Sequence, residues 1–70
     1  MTLSARNRFA GEVTEVETGA VNTKVELELT DSETITSIIT NDATDELELS
    51  EGDSVEAVIK APNVMIDDGE

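Results

Sequence analysis

From Val21 to Leu29 the chain alternates without a break: Val21, Thr23, Val25, Leu27 and Leu29 fall on one side of a two-residue period, Asn22, Lys24, Glu26 and Glu28 on the other. Only an extended backbone sends every second side chain to one face, so this run predicts a strand with one face in a core and one in water. The same period governs the stretch before it, where Phe9, Gly11 and Val13 oppose Ala10, Glu12 and Thr14. Val16 breaks the phase there, which predicts a bulge, and "ETGA" supplies a turn. A third run, "TITSIIT" at 34–40, is rich in β-branched residues, and a fourth, "SVEAVIKA" at 54–61, alternates Val55, Ala57 and Ile59 against Glu56, Val58 and Lys60.

Pro62 closes the fourth run, and "NVMI" at 63–66 is expected to form a short fifth strand, since proline is tolerated only at an edge or between strands. Between the third and fourth strands, "NDATDELELSEGD" reads as a short helix capped by Asn41 or Asp42, with Gly52 ending the connection. The expected fold is therefore all-β: a five-stranded OB-like Greek-key barrel with one short helix between strands 3 and 4, forming a single domain over residues 1–70.

A chain of 70 residues buries only about 60% of the surface that it exposes when unfolded, so this core is thin. Without cysteine or histidine, no disulfide, thiolate zinc site or imidazole ligand can staple it, and Phe9 is its one aromatic residue. Association between chains is the remaining route to stability, and an oligomer is expected.

The formal charge of −13 argues against nucleic acid and against an anionic membrane surface, both of which are bound through lysine and arginine. Acidity spread evenly over a patterned sequence reads as a solvated surface adapted to very high salt, in a halophile; disorder, the competing explanation, is opposed by the regular apolar alternation. With no basic-then-apolar leader and no long apolar run, the expected location is the cytoplasm.

Catalysis is not expected. A nucleophilic triad has no histidine or cysteine to use, no Ser-Lys motif is visible, and carboxylate pairs carry little meaning where acids are this dense. No calcium-loop spacing occurs either. Binding a small anion is better provided for. Three of the four cations, Arg6, Arg8 and Lys60, lie at the start of the first strand and the end of the fourth, while Lys24 sits elsewhere. Arginine offers a planar fork of donors and lysine a point charge, and Ser4, Thr40 and the N–H groups near Lys60 and Ala61 can complete a shell around a tetrahedral oxyanion. The plainer alternative is that Arg6 and Lys60 only pair with some of the many acids.

Three blocks in order, "SARN" at 4–7, "GAVN" at 19–22 and "EGDSVEAVIKAPNVM" at 51–65, resemble the molbindins, or Mop/TOBE-type domains, over nearly the whole chain from Leu3 to Asp67. That resemblance implies an OB-like barrel that binds molybdate or tungstate between subunits of a homohexamer built as a trimer of dimers. It implies that Ser4, Ala5 and Arg6 of "SARN" act with Lys60 and the Ala61 backbone, and that Thr40 of a neighbouring chain faces them. Where several relatives carry a hydroxyl residue after "TND", this chain has Ala43, which removes one side-chain donor. The "GAVN" segment, Gly19, Ala20, Val21 and Asn22, is similar to a second oxyanion site near the trimer axis; a plain turn with glycine at positive φ explains it as well. Arg6 is the expected ligand before Arg8.

The function expected from this resemblance is storage and homeostasis of molybdate or tungstate, with no second domain or linker in these residues. The alternative is a regulatory or assembly module like the TOBE part of a molybdate transporter ATPase or regulator.

Overall fold

The structure, a computed structural model, describes residues 6–69. Its elements follow in the order β1 (Asn7–Thr18), β2 (Asn22–Leu29), β3 (Thr34–Thr40), α1 (Asn41–Leu47), β4 (Ser54–Ile59) and a 3₁₀ turn at Ala61–Asn63. The four strands make one curled antiparallel sheet in the order β3-β2-β1-β4. Three consecutive strands followed by one that returns beside the first is the Greek-key arrangement.

β1 organises this sheet because it is shared. Its first half, from Asn7 to Glu12, pairs with β4, and its second half, from Gly11 to Thr18, pairs with β2. The change of partner coincides with a bulge: Val13 faces Leu27 and Glu15 faces Glu26, so Thr14 is the extra residue. The broken phase of the sequence is thus a true bulge, and it lets both Val13 and Val16 turn inward. Val13, Val25, Leu27 and Ala57 form the buried core, with Ile35, Ile39, Leu49 and Val55 among the residues packed against it. Each fully buried valine or leucine stabilises the fold by about 1.5–3 kcal/mol relative to exposure, so a core of this size leaves little margin.

Three expectations are corrected. First, residues 63–66 form no strand: Pro62 lies in the first turn of the 3₁₀ segment, and the chain beyond meets no strand edge among the described residues. Met65 and Ile66 are 92% and 91% exposed. Second, β3 and β4 remain the two edges of the sheet, so the barrel is not closed within one chain. A cleft between them, lined by Val25, Leu27, Ile35, Ile39, Val55 and Ala57, opens onto the core.

Third, the helix cap is Thr40. Its Oγ1 accepts from the Ala43 N–H at 3.1 Å, which satisfies one of the donors that a helix start leaves unpaired, so α1 begins one residue earlier than an Asn41 cap allows and two earlier than an Asp42 cap. Gly52, at φ 93, does sit in the turn that ends the connection and donates to the Val13 carbonyl at 2.8 Å.

Candidate functional site

The register of β1 against β4 decides where the cations stand. Asn7 pairs with Ile59, and its Nδ2 donates to the Ile59 carbonyl at 3.2 Å. Arg6 and Lys60 are the next residues outward on each strand, so antiparallel pairing brings both to the same end of the sheet. Just beyond, the 3₁₀ turn uses the Asn63 N–H on the Lys60 carbonyl at 2.9 Å and the Val64 N–H on the Ala61 carbonyl at 3.2 Å. Pro62 has no N–H to give, which leaves the Ala61 N–H as a first-turn donor that the turn itself does not use. Ser4 and Ala5 lie outside the described residues.

The four cations are treated very differently. Arg8 Nη1 donates to Glu56 Oε1 at 2.6 Å. Arg8 faces Val58 and Glu56 faces Ala10, so this is a diagonal contact across the ladder. Lys24 Nζ lies 3.3 Å from Glu17, 3.6 Å from Glu15 and 3.8 Å from Glu26. The hydrogen-bonded Glu17, reinforced by the charges of Glu15 and Glu26, holds its ammonium pKa above the ordinary value. Among the described residues, Arg6 and Lys60 make no ion pair. The plainer reading, in which these two only neutralise nearby acids, finds no support in that distribution.

Thr40 stands at the far end of β1. Thr18 pairs with Thr23, Thr23 pairs with Ile39, and Thr40 follows. The Thr40 hydroxyl accepts from Ala43, which leaves its own proton available to donate. Within one chain, then, the Arg6–Lys60–Ala61 group and Thr40 are held at opposite ends of the twelve-residue β1.

The structure instead brings Thr40 beside the Gly19–Asn22 segment, which the sequence reading had kept apart from it. Asn22 pairs directly with Thr40. Gly19, Ala20 and Val21 connect β1 to β2, and the Gly19 N–H donates to the Asn22 carbonyl at 2.8 Å. Gly19 is not in the positive-φ region, which corrects the plain-turn explanation. Glycine is needed there because a Cβ would lie 2.9 Å from the Asn22 carbonyl oxygen.

Sequence reasoning missed Asn41 as a joint. Its backbone N–H donates to the Val21 carbonyl at 2.9 Å, its Nδ2 to the Gly19 carbonyl at 3.0 Å, and its Oδ1 accepts from the Thr23 hydroxyl at 2.6 Å. Thr23 is fully buried, and its hydroxyl would be costly there without that partner. A polar Thr on the inward face of the β2 alternation was the available signal: a buried hydroxyl needs a partner, and the next polar segment in the chain supplies it.

No cluster of side chains that could hold a metal ion occurs among the described residues. The chain belongs to the TOBE domain family, whose model matches residues 3–66. It is 42% identical over 66 residues to molybdenum-pterin-binding protein 3 of Clostridium pasteurianum, covering 94% of this chain and 97% of that protein. It is 48% identical over 65 residues to the molybdenum transport protein ModE of Herbaspirillum seropedicae, covering 93% of this chain and 24% of ModE. Among solved structures, it superimposes with a TM-score of 0.88, at 51% identity, on the cytoplasmic molybdate-binding protein ModG with molybdate bound, covering 93% of this chain and 46% of that one. It thus spans nearly all of the first relative, about a quarter of the second and about half of the third. No helix among the described residues is long and apolar enough to cross a membrane.

Proposed function

We propose that this protein binds molybdate or tungstate at interfaces between its own copies and serves as a cytoplasmic store and buffer of the oxyanion, without catalysis. The observation that carries this reading is the pair of cations Arg6 and Lys60 at one end of the sheet, without an ion pair among the described residues, in a chain of charge −13 where Arg8 and Lys24 each have acidic partners. Two cations set together without a carboxylate repel one another, and a bound dianion removes that cost. Arg6, Lys60 and the Ala61 N–H supply charge-assisted donors from one copy, and Ser4 and Ala5 are carried over from the family resemblance as further ligands. Thr40, at the opposite end of β1, completes the shell only from a second copy. Repeating that contact builds the homohexamer, a trimer of dimers, and each copy remains a single domain over 1–70. Gly19, Ala20, Val21 and Asn22 form the second oxyanion site.

The dense negative charge is compatible with this site in a salt-rich cell. At molar salt the Debye length is about 3 Å, so distant carboxylates are screened and local donors decide binding. The match to a quarter of ModE favours a second reading, a regulatory or assembly module acting within a larger protein. Native mass spectrometry in volatile salt, with and without added molybdate, separates the two. The storage reading requires an assembled species that gains oxyanion mass; a monomer that takes up none contradicts it.

A further inference from the structure

The connection between β1 and β2 is not self-supporting. Two- and three-residue hairpin loops normally place at least one residue at positive φ, because such turns match the twist of the strands. Neither Ala20 nor Val21 has positive φ, and Gly19 does not supply it either. Contacts from outside the hairpin must hold the loop, and Asn41 provides them. Its backbone N–H and both ends of its side-chain amide bond to this hairpin: the N–H to the Val21 carbonyl, Nδ2 to the Gly19 carbonyl, and Oδ1 accepting from the Thr23 hydroxyl.

A trans peptide fixes its N–H opposite its carbonyl. With the Gly19 carbonyl held on Asn41, the Ala20 N–H is directed away from it, while the Asn22 N–H lies on the side of its own carbonyl, which accepts from Gly19. Asn41 follows Thr40 directly, and its backbone position as the first residue of α1 depends on the turn in which the Thr40 hydroxyl accepts from Ala43.

We infer that Asn41 is a positioning residue for oxyanion binding: it aims the Ala20 N–H of the Gly19–Asn22 segment and fixes Thr40 beside it, without touching the anion itself. This rests on the storage reading above and adds to it a residue that neither the sequence nor that reading assigns. Thr23 belongs to the same device, since its hydroxyl holds the Asn41 amide in the orientation that presents Nδ2 to Gly19.

The test uses the full chain at molar potassium chloride, with calorimetric titration of sodium molybdate and amide spectra by nuclear magnetic resonance. Asn41→Asp keeps an acceptor for Thr23 but loses the donor to Gly19. It should displace the Ala20 amide resonance and weaken binding about tenfold. Thr23→Val should weaken binding in the same direction, and Thr23→Ser, which restores the hydroxyl, should return it to the wild-type value. Val13→Ala serves as the control for stability alone: its melting temperature should fall while its affinity, measured well below melting, stays unchanged. Binding by Asn41→Asp and Thr23→Val within twofold of wild type would overturn the inference while leaving the storage reading intact. If the wild-type chain takes up no molybdate, both are overturned.

Discussion

Asn7 and Ile59 face one another in the β1–β4 ladder, and the Asn7 side chain closes the pair with a 3.2 Å bond to the Ile59 carbonyl. That one pairing brings Arg6 and Lys60, the next residues on each strand, to the same end of the sheet, though they are separated by most of the sequence. The charge that the chain otherwise spends on neutralising glutamates is concentrated there.

Replacing Arg6 with alanine should therefore weaken molybdate binding about 10- to 100-fold, the range expected for losing hydrogen bonds to a charged group. Lys24→Ala, which removes the same formal charge from the triple-glutamate cluster, should change affinity less than about twofold. Calorimetry on both variants checks this, and equal losses would mean that net charge rather than placement governs binding.

Thr40→Ala removes the side chain that caps α1 and should destabilise the fold by about 1 kcal/mol. Thr40→Ser keeps both the cap and the hydroxyl proton and should be close to neutral for stability and for binding. Denaturant unfolding measures the first effect, and titration of the folded protein the second.

Much of this was legible in the alternation. Val13, Val25, Leu27 and Ala57 were all assigned inward by their two-residue period, and the bulge followed from Val16 falling out of phase. Residues 63–66 misled because a short apolar run becomes a strand only when an edge is available to pair with it, and periodicity says nothing about edges. The cap at Thr40 was missed for a related reason: threonine closes β3 and opens α1 at once, and strand propensity concealed the second role. Asn41 was visible only as a generic cap because its partners lie about twenty residues away in a different hairpin.

Gly19→Ala should be destabilising by about 1–2 kcal/mol despite glycine's ordinary φ, because the added Cβ would meet the Asn22 carbonyl oxygen at 2.9 Å and the backbone must shift. Thermal unfolding compared with Gly52→Ala distinguishes the causes. The second substitution meets no atom within 4 Å and strains the chain only through its positive φ.

Lys24 lies among Glu15, Glu17 and Glu26, which raise its pKa above 10.5. A lysine whose folded pKa is raised contributes stability that is complete below the unfolded value and disappears as pH rises through the folded one. The stability difference between wild type and Lys24→Met should be constant near neutral pH and shrink in strongly alkaline solution. Because the ammonium is exposed, the difference should also fade as potassium chloride is raised to molar levels. A difference independent of both pH and salt would show that the lysine's stem, and not its charge, supports the sheet.

The most direct test is the melting temperature of the wild-type protein in molar potassium chloride as molybdate is added, with extra chloride at matched ionic strength as the control. A ligand that binds only the native assembly stabilises it by about 2.7 kcal/mol at a hundredfold excess over its dissociation constant. The melting temperature should rise steadily with millimolar molybdate and stay flat with chloride, which lacks the four oxygens that Arg6, Lys60 and the Ala61 N–H would hold. Equal shifts from the two salts would reduce the effect to charge screening and contradict an oxyanion site.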